Sequence, residues 1–151
     1  MNDKSINYCR YCNKLGPTAF SLNDGRTWIC ANCRSQLSTI NGTKVIGTTL
    51  AVTGNVSGNF VIPEGVTEIF YQSLSGTSIK RIQFPRSLRK IPWNCFENCR
   101  NLEEVTIPRT ILELGWSAFK DCTSLTTITI PGSVKVIHER AFAGCTNLTN
   151  I

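Results

Sequence analysis

Histidine occurs once in this 151-residue chain, at His138, and aspartate only at Asp3, Asp24 and Asp121. Acid–base and nucleophilic sites are assembled from such groups in close pairs. The chain also lacks a Gly-rich phosphate loop and a Gly-x-Ser-x-Gly elbow, so it is not read as an enzyme. Glu103 and Glu104 are adjacent on a predicted strand and point opposite ways. No run of 18 apolar residues exists, which excludes a membrane-spanning helix. Charge is scarce too: 17% of residues are charged against 41% hydrophobic, the balance of a globular chain. The opening Met1-Asn2-Asp3-Lys4-Ser5 runs straight into a cysteine motif with no apolar core segment. No secretory signal is read there, and a cytoplasmic setting is expected.

What is present is a repeat. Leu102, Leu125 and Leu148 are evenly spaced at 23 residues, as are Pro85, Pro108 and Pro131, Phe96, Phe119 and Phe142, and Cys99, Cys122 and Cys145. Spacing held in four columns at once marks a stacked structural unit. In Leu125-Thr126-Thr127-Ile128-Thr129-Ile130 the β-branched alternation predicts a half-buried strand with Ile128 and Ile130 inward. Pro131 stops it. Ser133 to Ile137 reads as a second short extended piece with Val134 and Ile137 inward. His138 to Cys145 places Ala141, Phe142 and Cys145 at helical offsets, predicting a short helical or 3-10 turn. One such coil cannot bury its apolar face alone and must stack on its neighbours.

The Ile-Pro after the strand, the Ala-Phe pair and the trailing Cys, at this period, resemble the BspA-like leucine-rich repeat. That resemblance implies a mostly β solenoid in which each coil contributes a strand and a short turn, and it implies a role in interaction rather than catalysis. The first full unit departs from the motif, with Cys95 in the Ala position before Phe96. Upstream, Phe60, Ile62, Pro63, Val66 and Ile69 continue the pattern, but Pro63 to Pro85 is one residue short and the Ala-Phe pair is missing. A degenerate terminal unit is expected there. Trp93 and Trp116 share one repeat position, which says packing or an exposed stripe. His138 falls where other coils carry Pro92 and Gly115 and is read as an exposed turn residue.

The repeat cysteines stack at roughly 4.8 Å, a spacing a disulfide can bridge. The reading preferred is small buried thiols kept reduced. The remaining cysteines are different. Cys9-Arg10-Tyr11-Cys12 and Cys30-Ala31-Asn32-Cys33 are separated by 17 residues, the spacing of a four-cysteine zinc site. Four thiolates close the tetrahedron, so one structural zinc per chain is expected. Ala19 to Ile29 is predicted to be a hairpin turning at Asn23-Asp24-Gly25, and Arg34 to Leu37 to begin a short helix. This order resembles a treble-clef or zinc-ribbon module. Two disulfides or unrelated thiols are the alternatives. The chain thus divides into a zinc module at 1–40 and a solenoid at 41–151, with 41–62 as its N-terminal cap or linker.

Charge is uneven. The net is +3 over residues 1–40, −1 over 41–78, +5 over 79–101 and −1 over 102–151, summing to +6. Lys80, Arg81, Arg86, Arg89, Lys90 and Arg100 form the basic excess, expected as a band around one coil; a merely solubilising face is the bland alternative. The strand alternation presents Asn59, Val61, Arg81, Gln83, Glu104, Thr106, Thr127 and Thr129 outward. That row of mixed charge suits a protein partner. Nucleic-acid binding, or interference with a nucleic-acid-handling complex, through the basic coil and the zinc module is the alternative. Leu148-Thr149-Asn150-Ile151 repeats the start of the strand unit, so a second copy or the partner is expected to cover the apolar edge around Ile128, Ile130 and Phe142.

Overall fold

The computed structural model describes residues 7–8, 15–16, 20–22, 27–29, 33, 35, 37–40, 43–51 and 56–151. Its N-terminal part holds two small antiparallel pairs. These are β1 (Asn7–Tyr8) with β2 (Leu15–Gly16), and β3 (Phe20–Leu22) with β4 (Thr27–Ile29). The second pair is the hairpin predicted between the two cysteine pairs. Cys33 and Ser35 are helical, but Leu37 already belongs to β5 (Leu37–Ile40), so the expected helix stops earlier than Leu37.

β5 forms a hairpin with β6 (Thr43–Ile46), which pairs in turn with β7 (Thr49–Leu50). β7 then lies parallel to β9 (Glu68–Ile69), with Thr49 opposite Glu68 and Leu50 opposite Ile69. Val45, Leu50 and Ala51 are buried by this arrangement, and Val45 and Leu50 join the solenoid core. The division drawn at residue 40 falls at the end of β5, inside a hairpin.

From Ser57 onward the chain winds. The first strand of successive coils is β8 (Ser57–Val61), β10 (Ser78–Gln83), β12 (Glu104–Thr106) and β14 (Thr127–Thr129), forming one parallel four-stranded sheet in that order. A second parallel sheet stacks β11 (Lys90–Ile91), β13 (Glu113–Leu114) and β15 (Val136–Ile137). The β-branched, alternating residues of each coil explain the strands. Pro85, Pro108 and Pro131 follow them, where an N–H is not needed for the ladder. The register shifts at Lys80, between Ile79 and Arg81, where the shorter first coil meets the regular ones.

Between the coils runs a ladder of phenylalanines. Phe96 and Phe119 are fully buried, and Phe84 meets Phe96 edge-on at 5.9 Å. Phe142 stacks on Phe119 at 5.6 Å and stays partly exposed, since it packs against the outer surface of the core. In the degenerate first unit Leu74 takes the Phe place and Thr77 the Cys place. Both are buried, and the Thr77 hydroxyl donates to the Leu74 carbonyl at 2.7 Å.

The segment expected to be a helical or 3-10 turn is instead a run of tight turns. Two positions per coil lie in the left-handed region: Gln72, Asn94, Ser117 and Arg140, then Gly76, Asn98, Asp121 and Gly144. A left-handed residue every few positions cannot propagate a helix. The N–H groups are also committed elsewhere. Phe96 donates to Ala118 O and Phe119 to Ala141 O, each at 2.8 Å, while Asn98 and Asp121 donate to Lys120 O and Ala143 O. These bonds carry the inter-coil ladder through the turn, so these amides are not left for an i−4 carbonyl.

The inward assignment of Ile137 also needs correction. Its counterparts Ile91 and Leu114 are buried, whereas Ile137 and Val136 are exposed because β15 is the outer strand of its sheet. Ile128, in contrast, is covered: its N–H donates to Asn150 O at 3.1 Å and Thr127 bridges Asn150. No helix among the described residues is long and apolar enough to cross a membrane.

Candidate functional site

The first-strand sheet brings the outward residues into two rows. Arg81 is opposite Asn59 on one side and Glu104 on the other, and Glu104 is opposite Thr127. Gln83 is opposite Val61, and Thr106 is opposite Thr129. All are exposed except Thr127, which is half-buried. Parallel pairing in register with period-2 alternation places them on one face while Ile82, Val105 and Ile128 fill the core. Val61 adds an exposed apolar spot at the β8 end.

The basic residues divide among several surfaces. Lys80 lies 3.9 Å from Glu103, and Arg81 lies 4.0 Å from Glu104, each pair joining adjacent coils across the sheet. Exposed pairs of this kind contribute little stability, but they offset positive charge on the face. Lys90 belongs to β11 on the other sheet. Arg86 and Arg89 lie exposed in the connection between the sheets, where the Arg86 N–H donates to Glu64 Oε2 at 3.2 Å. The band is therefore spread around the coil, not gathered into one patch.

His138 is not a bare turn residue. Its Nε2 meets Glu113 Oε1 at 3.0 Å and its ring stacks on Trp116 at 5.8 Å. Both partners come from the preceding coil, which makes the contact a coil-to-coil tie. Lys120 bridges Glu97 at 2.8 Å and Asp121 at 3.4 Å. The bond to Glu97 holds its ammonium above the ordinary lysine range.

The repeat cysteines stand inside as thiols. Cys99, Cys122 and Cys145 donate to the carbonyls of Leu74, Phe96 and Phe119 at 3.0, 3.1 and 3.0 Å, each one coil back. Burial pushes the Cys99 thiol up, and burial aided by the nearby Cys99 pushes Cys95 well up. The adjoining Cys145 sulfur and burial raise Cys122 as well. Such thiols are poor nucleophiles and poor metal ligands. Of the predicted zinc ligands, Cys9, Cys12 and Cys30 lie outside the described residues; Cys33 is buried at the helical position after the β3–β4 hairpin. Among the described residues no group of three or more His, Cys, Asp or Glu could hold a metal ion.

One surface was only half visible in the sequence. Tyr71 stands in the same column as Trp93 and Trp116, and all three are exposed, at 47%, 62% and 50%. The N–H of Gln72 donates to Trp93 O and that of Asn94 to Trp116 O, so the three residues sit one coil apart. The short first unit shifts Tyr71 to a 22-residue offset, the same offset that separates Pro63 from Pro85, and that was the signal.

The family described as BspA type leucine rich repeat region matches residues 53–151 in six copies. The chain belongs to this BspA-type leucine-rich-repeat family. Among solved structures, it is similar to a leucine rich cell surface protein from Faecalibacterium prausnitzii A2-165. The TM-score is 0.63 and the identity 22%, over 76% of this chain and 38% of that one. A T. pallidum leucine rich repeat protein matches with TM-score 0.57 and 22% identity, over 75% of this chain and 65% of that one. The BspA-type chain thus spans less than two thirds of either neighbour. Comparison with curated proteins gives no match. Leucine-rich-repeat domains are generally protein-interaction modules and typically non-enzymatic.

Proposed function

We propose that this BspA-type solenoid is a non-enzymatic module that docks a protein partner on the β8-β10-β12-β14 face. The observation that carries this is the pair of aligned rows, Asn59-Arg81-Glu104-Thr127 and Val61-Gln83-Thr106-Thr129. Stacked rows of outward side chains on a rigid parallel sheet offer a surface whose backbone is already ordered before a partner binds. The cross-coil Lys80–Glu103 and Arg81–Glu104 pairs favour a partner of mixed charge over a phosphate backbone, which rewards unpaired cations. A photo-crosslinking residue at Gln83 or Thr106 of the intact chain tests it. Nuclease-resistant protein adducts from these positions, absent when the crosslinker replaces exposed Lys135, support the reading. Adducts to nucleic acid, or equal labelling from Lys135, overturn it.

Two further elements belong to this proposal. Cys9, Cys12, Cys30 and Cys33 would hold one structural zinc, a reading supported by their spacing, by the β3–β4 hairpin between the pairs and by the burial of Cys33. The ion would contribute folding energy there and no chemistry. Free thiols that donate to backbone carbonyls inside the solenoid suit a reducing compartment, the cytoplasm.

A further inference from the structure

The cations of the solenoid are of two kinds. Residues 56–151 hold ten Lys and Arg, and four of them, Lys80, Arg81, Lys120 and Arg140, meet the carboxylates of Glu103, Glu104, Glu97 and Glu139. The other six make no ion pair among the described residues. Lys90 lies opposite Glu113 on the second sheet, and Arg100 is in the turn that leads back to the first. The remaining four, Arg86, Arg89, Arg109 and Lys135, are all exposed in the connections that lead from the first sheet to the second.

Stacking brings these four onto one edge. The N–H of Leu112 donates to Arg89 O at 2.8 Å and that of Lys135 to Leu112 O at 2.7 Å, so Arg89, Leu112 and Lys135 form a row across three coils. That row is about 9.6 Å long at the spacing of adjacent strands. Arg86 and Arg109 share a repeat position three residues earlier, each just after the proline of its coil. On the first sheet the same stacking sets Lys80 against Glu103 and Arg81 against Glu104, where opposite charges attract. On this edge it sets cation beside cation, which repel. The neighbouring repeat positions add Lys90 and the acids Glu64, Glu68 and Glu113, leaving five cations against three acids. An anionic partner would offset that repulsion.

The centre of the strip narrows the chemistry of the partner. Leu112 is 44% exposed and stands between Arg89 and Lys135. A phosphate backbone gains nothing from a leucine, and no exposed aromatic ring stands in these connections to stack on a base. An acidic peptide with an apolar side chain matches both features, since carboxylates meet guanidinium groups in bidentate pairs and the apolar group covers Leu112. We infer that Arg86, Arg89, Arg109 and Lys135, with Leu112 among them, form a docking strip for an acidic polypeptide segment that carries apolar residues. It is a second surface, independent of the sheet face proposed above.

The test uses the full chain and a labelled octapeptide of glutamates with two central leucines, read by fluorescence anisotropy. The other arms are the same peptide with every Glu replaced by Gln, an all-glutamate octapeptide, and a single-stranded oligonucleotide of equal charge. Saturable binding of the Glu-Leu peptide that weakens with salt is expected. The double variant Arg89→Ser, Arg109→Ser should lower its affinity about fivefold or more, and Leu112→Ser should lower it as well. The charge-matched double variant Arg100→Ser, Arg140→Ser should leave it unchanged. All should melt like the parent, because the side chains are exposed. No binding, equal loss in the charge-matched variant, full affinity in Leu112→Ser, equal binding of the Gln or all-glutamate peptide, or preference for the oligonucleotide would overturn the inference.

Discussion

The rings of Phe96 and Phe119 lie face to face, with centroids 5.1 Å apart and planes 7° from parallel. They come from adjacent coils and are fully buried, so the contact is part of the interface that couples one coil to the next. Truncating Phe119 to Ala removes stacking on both sides, and it should destabilise the solenoid by about 3–5 kcal/mol. Phe142→Ala should do less, because that ring is only partly buried. Chemical denaturation of the two variants checks the order.

Gly115 illustrates how closely the coils approach. Its N–H donates to Ile91 O at 2.8 Å. A Cβ placed there would lie 2.7 Å from Pro92 C and 2.8 Å from Trp93 N, both backbone atoms that have little room to yield. Gly115→Ala should therefore destabilise by about 1–3 kcal/mol. Gly132→Ala meets nothing within 4 Å and should be neutral or stabilising by about 0.4–1 kcal/mol. Melting temperatures of the pair provide the measurement.

The buried thiols give stability a pH dependence. Cys95 and Cys99 are held above the ordinary thiol range in the folded chain, chiefly by burial. A folded pKa above the unfolded value means that the neutral form is favoured by folding. The stabilisation is full below the unfolded thiol value of about 8.5 and is lost as pH rises beyond it. The melting temperature should hold steady near neutrality and fall through the alkaline range. Cys99→Ala should flatten that fall, whereas an unchanged slope in the variant would assign it to other groups.

Much of this architecture was legible in the residues. Thr127-Ile128-Thr129 announced its strand, its inward side chain and its place in the outward rows, because period-2 alternation translates directly into faces. The turn after the second strand was not legible from Ala141, Phe142 and Cys145, whose spacing is also that of a helix. What decides it is the left-handed pair in each coil. The column Gly76, Asn98, Asp121, Gly144 holds residues that tolerate such a backbone, yet its partner column holds Gln72, Ser117 and Arg140, which give no such hint. Ile137 was misplaced for another reason: a repeat pattern describes interior coils, and β15 has a neighbour on one side only. Of the eight positions read as outward, seven are exposed and Thr127 is half-buried; the basic residues expected as a band lie in β10 (Lys80, Arg81), in β11 (Lys90) and in the connection between them (Arg86, Arg89).

The zinc reading has a direct consequence. Elemental analysis of the intact chain after dialysis should give one zinc per chain, lost in a Cys9→Ser, Cys12→Ser variant. A chelator should unfold the N-terminal segment while the solenoid, whose core cluster does not draw on Cys33, keeps its melting transition. Metal-free protein with the same far-ultraviolet spectrum and stability would remove the ion from the account.

The docking face is the central claim, and altering the charge on it is the most direct test. Once a crosslinked partner is in hand, its affinity for the parent chain is compared with that for Arg81→Glu, for Thr106→Arg and for Trp93→Ala by calorimetry. The account predicts that the first two weaken association by about tenfold or more, with unchanged melting, and that Trp93→Ala leaves this partner's affinity as it was. Full affinity in both sheet-face variants would contradict it.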